Sequence, residues 1–303
     1  MMSLDYYRTP EGITRIEKHL DFVGWLTDDI RAIYQVVQGM LVHDNWLHSY
    51  GISLRACANQ VPEAKMAYVE DLLDKAVELD PRSLAIPRSP EQRVICCCRE
   101  FATLFCAILR HKGVPARSRC GFSTYLAPPL YFEDHWICEY WSEAEGRWIM
   151  VDPQIDPFQQ SFIGMAGSPL DIPDTYFHVA GRAWKWCRED VLEPERFGIA
   201  CDPAAFGLES LYGLWFVRGQ LLRDFAALNK VEVVPFLAHV AKGHTWAPWR
   251  LVAARDEDLT EEDYALLDAI AELSLDPDGQ FEQVRETYEL NPDLQPPQEI
   301  IST

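Results

Sequence analysis

The spacing of apolar residues predicts that the first ninety residues and the last third of the chain are helical, with strands between them. A first helix is predicted after Thr27, which we take as its N-cap, and a second helix ends before Asp80 and Pro81. The apolar positions with the helical period are Ile30, Ile33, Tyr34, Val37, Met40 and Leu41, and then Met66, Val69, Leu72, Leu73, Ala76 and Val77. A connector punctuated by prolines, RSLAIPRSPEQR, leads from there to three consecutive cysteines.

A third helix is predicted directly after the cysteine triplet Cys96, Cys97 and Cys98. One face of it is apolar, and its end is predicted by basic residues that are followed by Gly113 and Pro115. The residues of that face are Phe101, Leu104, Phe105, Ile108 and Leu109. Cys98 is therefore expected at the helix N-terminus, where unpaired N–H groups and the positive end of the helix dipole favour a thiolate.

The apolar pattern changes to a period of two after Pro115, which predicts strands. ARSRCGFSTY is one predicted strand, and DHWICEYW and RWIMVD form a hairpin joined by SEAEG. A loop of residues 142–145 would pair Trp141 with Gly146 and would place His135 opposite Asp152. Directly opposed side chains share a face at about 5 Å, so this imidazole and carboxylate could hydrogen bond.

Cys98, His135 and Asp152 together provide the groups that nucleophilic catalysis by a thiol requires. A histidine that holds the thiol proton makes cysteine a strong nucleophile near neutral pH. A carboxylate fixes the tautomer of that histidine and stabilises its positive charge. These three residues are the candidate catalytic residues, and Cys96 and Cys97 are interpreted as packing residues.

The segment CREFATLFCAILRHKGVPARSRCGF resembles the transglutaminase-like superfamily, whose cysteine opens a helix that ends in an arginine, a glycine and a Gly-Ile-Pro-Ala-Arg type turn. The matching positions are Cys98, Ala102, Arg110, Gly113, Pro115, Ala116 and Arg117. DHWICEYW and GRWIMVDPQID resemble the family's histidine and aspartate segments, which implies catalytic roles for His135 and Asp152. Where the family often has glycine and aspartate, this chain has Cys96 and Glu100.

The resemblance implies an α+β fold with a papain-like, transglutaminase-like core. In such a core the helix that bears the nucleophile packs on an antiparallel sheet, and here helical N- and C-terminal regions would flank it. We expect a catalytic domain over residues 1–195, with its motifs at 93–156, and a mainly helical region over 196–303 with a loose tail from about 294. Thr260 and Asp263 predict a capped helix within that region.

The activity that the resemblance implies is cysteine-dependent attack on an amide bond, through a thioester on Cys98. The chain resembles stand-alone bacterial transglutaminase-like proteins, and the motif does not distinguish a protease or an amidase, which hydrolyse the thioester, from an acyltransferase. The alternative function is a non-catalytic transglutaminase-like binding module. A structural zinc protein is a third alternative, although adjacent cysteines cannot all face one metal and no matching CxxC occurs elsewhere.

The amino-acid composition indicates which binding partners and which cellular location to expect for the protein. The chain has 47 acidic and 27 basic residues, and its net charge of -20 disfavours nucleic acid and anionic membranes. It has no run of about 18 apolar residues and its N-terminal segment has no secretory pattern, so a cytoplasmic protein is expected. The nine cysteines are expected to be reduced thiols. No cofactor and no metal are predicted, and the expected partner is a peptide, protein or small amide substrate.

Overall fold

The computed structural model describes residues 2–52, 67–233 and 249–301. Met66, predicted as part of the second helix, and Cys57 lie outside these ranges. The chain forms two compact units, the first from Met1–Ser118 and Ile137–Ile172 and the second from Arg119–Trp136 and Pro173–Thr303. The expected domain boundary at residue 195 stays a prediction.

The first unit is mainly helical. Its helices are α1 (Met2–Arg8), α2 (Leu20–Trp25), α3 (Ile30–Met40), α4 (Val69–Leu79), α5 (Cys98–His111) and α6 (Pro157–Ile163). The N-cap of α3 is Asp29, and not Thr27 as predicted, because the Asp29 carboxylate accepts the N–H of Arg31 at 3.0 Å. Helix α4 has Asp80 as its C-cap, which confirms the predicted end.

Helix α5 begins at Cys98, as predicted, and is buried on all sides. Every residue from Cys98 to Arg110 is buried, so the sequence pattern, which predicted one apolar face, underestimated its burial. The side chains of α5 share one apolar cluster with α3 and α4 and with Cys138, Ile149 and Val151. Gly113 follows the helix with a φ of 76°, a left-handed conformation that glycine adopts without strain.

The structure describes seven strands, and the three predicted ones agree closely with it, whereas the other four were not predicted. A small parallel pair is formed by β1 (Leu41–His43) and β2 (Val94–Cys96). The other strands are β3 (Ala116–Ser123), β4 (Phe132–Ser142), β5 (Arg147–Val151), β6 (Phe177–Val179) and β7 (Phe197–Gly198). They form a five-stranded sheet in the order β5-β4-β3-β6, with β7 parallel to β4.

The predicted hairpin register is wrong by two residues. Trp141 pairs with Trp148 and Cys138 with Val151, so Gly146 is in the loop and His135 is not opposite Asp152. Gly146 has a φ of 64°, which a paired strand residue does not adopt. Because side chains alternate with a period of two, this shift leaves the face on which each side chain lies unchanged.

The second unit contains β6, β7 and helices that pack on one another. These helices are α7 (Ala180–Arg188), α8 (Leu214–Leu228), α9 (Arg250–Ala253), α10 (Glu261–Leu275), α11 (Phe281–Leu290) and α12 (Gln298–Ile301). Gly181 lets α7 approach α10 closely, since a Cβ there would lie 2.0 Å from Ser274 Oγ. Thr260 and Asp263 form the predicted capping box at the start of α10.

The fold class is α+β, as predicted, with a mainly antiparallel sheet. The predicted tail contains the short helix α12. Within the ranges that the structure describes, none of the helices has the length and apolar content needed to cross a membrane.

Candidate active site

The three consecutive cysteines occupy three different structural positions. Cys96 ends β2 and lies in the apolar cluster of the first unit, Cys97 is the N-cap of α5, and Cys98 is the first helical residue. Cys98 is 7% exposed. The predicted position at a helix N-terminus is therefore confirmed, and there the backbone N–H groups and the helix dipole favour an anionic sulfur.

Cys97 makes hydrogen bonds to Glu100 that distinguish its role from that of Cys98. Its thiol donates to Glu100 Oε2 at 2.9 Å, and its backbone N–H donates to the same oxygen at 2.9 Å. The N-cap and Glu100 thus form a capping box in which cysteine takes the usual place of serine or threonine. In this box the Cys97 side chain accepts the backbone N–H of Glu100, so Cys97, which we interpreted from the sequence as a packing residue, has a structural role at the helix start.

Burial makes several other thiols hard to ionise. It raises the pKa of Cys120 and Cys138 well above the ordinary range of a thiol, and it raises the pKa of Cys187 to about 12. None of the eight cysteines in the described part of the chain is in a disulfide. We therefore expect these three cysteines to behave as small core residues.

Asp152 directly follows β5 and is completely buried. Its backbone N–H donates to Pro169 O at 2.8 Å, and its Oδ1 accepts the N–H of Gln154 at 2.9 Å. The second bond is an Asx turn, a conformation that aspartate adopts with its side chain over the next two residues. The carboxylate is therefore held in place by the chain that follows it.

The segment after Asp152 is bound to α3, which sequence reasoning did not predict. Tyr34 Oη donates to Ile155 O, and Gln38 Nε2 donates to the same oxygen at 3.0 Å. Burial, and secondly the charge of Asp152, raises the pKa of Tyr34. These two polar side chains on the buried face of α3 were the only local signal for this contact.

His135 lies on β4, in the second unit, and is 1% exposed. Its ring makes edge contacts with Tyr125 and Phe177, at centroid distances of 6.0 and 6.5 Å. Cys98 and Asp152 belong to the first unit. The arrangement of the three as a catalytic triad stays a prediction.

Glu133 is a further titratable residue beside His135 that sequence reasoning missed. It lies two residues before His135 on β4, so both side chains are on one face of the strand. Its two carboxylate oxygens accept the N–H of Ala200 at 3.0 and 3.1 Å. Burial raises its pKa to about 7, against the opposing effects of that hydrogen bond and of His135. Glu133 thus changes charge near neutral pH.

Glu133→Gln is expected to change how stability depends on pH. The raised pKa means that the folded state binds the Glu133 proton more tightly than the unfolded chain does. Protonated Glu133 therefore stabilises the fold, and this stabilisation is complete below about pH 4.5 and is lost as pH rises through about 7. Relative to Glu133→Gln, the parent should lose about 1 to 3 kcal/mol of unfolding free energy between about pH 5 and pH 8. Urea unfolding at both pH values measures this difference.

Glu143→Gln is the control for that measurement, because Glu143 is exposed in the hairpin loop. Its unfolding free energy should follow that of the parent at both pH values. Parallel curves for the parent and Glu133→Gln would contradict the raised pKa of Glu133.

A possible metal group lies away from the cysteine triplet. Among the residues that the structure describes, His19, Glu70 and Asp74 have ligand atoms close enough to share a metal ion. Glu70 already accepts the backbone N–H groups of Glu17 and Lys18, and Asp74 bonds to Lys18 and His19. Among the described residues, this group includes none of the three cysteines of the triplet, and the zinc alternative stays a prediction.

The described chain is thus an α+β protein in which a buried cysteine opens a core helix and a hairpin precedes a buried aspartate. Residues 56–153 match the family model described as the transglutaminase-like superfamily. The predicted resemblance is confirmed for this segment, about a third of the chain, which includes Cys98, His135 and Asp152. No curated protein and no solved structure matches the chain.

Proposed function

We propose that the chain is a cysteine-dependent enzyme that attacks an amide bond and forms a thioester on Cys98. The observation that carries this proposal is the position of Cys98 as the first residue of α5, beside a neighbour whose thiol is bonded to Glu100. The transglutaminase-like match over 56–153 supports it. The papain-like arrangement of the core, with α5 packed on the antiparallel sheet, is part of the same proposal.

In the proposed mechanism the Cys98 thiolate attacks the carbonyl carbon and a C–S bond forms. His135 carries the proton of the thiol and gives it to the leaving amine as the C–N bond breaks. Asp152 keeps the imidazole in the tautomer that faces the sulfur and stabilises its charge. Water or an amine then attacks the thioester, His135 accepts the proton of the attacking group, and Cys98 is released as the leaving group. The choice of acceptor decides between hydrolysis and acyl transfer.

The substrate class that fits this chemistry is a peptide, a protein or a small amide. The net charge of -20 disfavours polyanionic substrates, since like charges repel. We also propose a reducing, cytoplasmic location, because a thiolate nucleophile must remain unoxidised to react.

The proposal is tested by trapping the acyl-enzyme. The protein is mixed with libraries of peptide amides and with an activated ester, quenched in acid and weighed, and the adduct is mapped by digestion. We expect one acyl group on Cys98, in the parent and in Cys106→Ala, which removes a fully buried thiol of the same helix.

Two results would contradict the enzyme proposal. One is an adduct on Cys96 or Cys97 that also forms in Cys98→Ala protein. The other is the absence of any adduct, even with the activated ester, from parent protein shown to be folded by circular dichroism.

A further inference from the structure

A buried network of charges surrounds the first turn of α5. Arg99 and Glu100 are 0% and 1% exposed, and Arg99 Nη1 lies 3.2 Å from Glu100 Oε1. Arg99 Nη2 also donates to Ala67 O at 2.8 Å, and the second carboxylate oxygen of Glu100 accepts both the thiol and the N–H of Cys97. The network therefore joins the residues on either side of Cys98.

Glu100 stabilises the start of α5, but its negative charge opposes the formation of a thiolate on Cys98. A carboxylate that caps a helix N-terminus satisfies N–H groups and interacts well with the dipole. A thiolate on Cys98 would depend on the same positive end of the helix. Glu100 lies two residues after Cys98 in the first turn of α5. Because nearby like charges disfavour each other, an uncompensated Glu100 charge would make ionisation of Cys98 harder. The guanidinium of Arg99 supplies the compensating positive charge.

We propose that Arg99 is a positioning residue that neutralises the Glu100 cap and thereby allows Cys98 to ionise near neutral pH. This inference rests on the proposed role of Cys98 as nucleophile. It also explains how one thiol of the triplet is selected. The thiol of Cys97 donates its hydrogen bond to Glu100, while Arg99 prevents the same carboxylate from suppressing the thiolate of Cys98.

The test is a double-mutant cycle read by alkylation. The rate at which iodoacetamide modifies Cys98 is measured against pH by peptide mass mapping, and the midpoint of the profile is compared among variants. Arg99→Met should raise the midpoint by about one pH unit, and Glu100→Gln, which keeps an acceptor for the cap, should lower it by a similar amount. The double variant should return to within about 0.3 units of the parent, because its two charge changes cancel.

The control is a second buried ion pair of the first unit, Arg117 with Glu139, whose Nε and Oε2 are 2.6 Å apart. Arg117→Met and Glu139→Gln should lower the melting temperature and leave the Cys98 midpoint unchanged. The ionisable groups on other elements of this unit, such as Tyr34 on α3, His43 on β1 and Asp152 after β5, are the same in every variant. Their contributions therefore cancel in the comparison.

Unchanged midpoints in Arg99→Met and Glu100→Gln would overturn the inference, because a purely structural ion pair alters only the melting temperature. If Arg99→Met does not fold, the shift in Glu100→Gln decides alone. The readout is independent of turnover. Shifted midpoints without an acyl adduct would refute only the enzyme proposal, and an adduct with unshifted midpoints would refute only the role of Arg99.

Discussion

Cys98→Ala is expected to fold like the parent and to have no acyl-transfer or hydrolytic activity. Cys98 is the only residue that the proposed mechanism can acylate, so activity should fall to the uncatalysed background, about 10⁴-fold or more below the parent. Cys98 is buried, but replacing its sulfur with hydrogen removes one atom at the edge of the helix. We expect a loss of only about 1 kcal/mol in unfolding free energy. Steady-state assays and urea unfolding measure the two effects.

Cys106→Ala is the matched control for Cys98→Ala. It deletes the same atom from the same helix at a position that is also buried, so it carries the packing cost without the proposed chemistry. Its activity should remain within a few-fold of the parent. If Cys98→Ala retained the activity of the parent in every assay, or retained its cellular phenotype, the chain would be a binding module that holds its ligand by shape.

His135→Ala and Asp152→Asn are expected to lower activity strongly and to different degrees. His135→Ala removes the base and should be almost as severe as Cys98→Ala. Asp152→Asn keeps Oδ1 as an acceptor for Gln154 N–H, so the Asx turn should persist. The amide cannot stabilise an imidazolium and can favour the wrong tautomer, so by analogy with hydrolase triads a loss of up to about 10⁴-fold in kcat is expected.

Asp156→Asn is the matched control for Asp152→Asn. Asp156 lies four residues further on, caps α6 through the N–H of Gln159 and accepts the hydroxyl of Tyr50 at 2.7 Å. It therefore has comparable structural bonds and no proposed catalytic role. Similar losses of kcat in the two variants would show that Asp152 acts through the fold of this segment, and would remove it from the proposed triad.

The elements around Cys98 were predictable because their signals are local. The apolar period of α5 and the glycine and proline after it define both helix ends. The alternation of β4 and β5 likewise defined two strands within one or two residues. The order of these elements also carried the family resemblance, which the match over 56–153 confirms.

The pairing of β4 with β5 was predicted wrongly because it depends on the conformation of a few loop residues. The left-handed φ of Gly146 and its N–H bond to Ser142 O at 2.8 Å keep Gly146 in the loop. A different assignment of the loop residues shifts every residue pair between β4 and β5. The N-cap of α3 was missed for a similar reason, since both Thr27 and Asp29 are suitable capping residues and only the backbone geometry selects Asp29.

The sequence by itself determined that a cysteine opens a core helix and that a hairpin carrying a histidine leads to an aspartate. These features follow from the spacing of apolar residues, which can be recognised within a short stretch of sequence. Only the tertiary structure decided that Arg99 and Glu100 are buried as an ion pair, that burial raises the pKa of Glu133, and that Tyr34 binds the chain after Asp152. Burial and charge environment depend on contacts between residues far apart in sequence, such as Tyr34 with Ile155, and a local pattern does not specify which distant residue such a contact reaches.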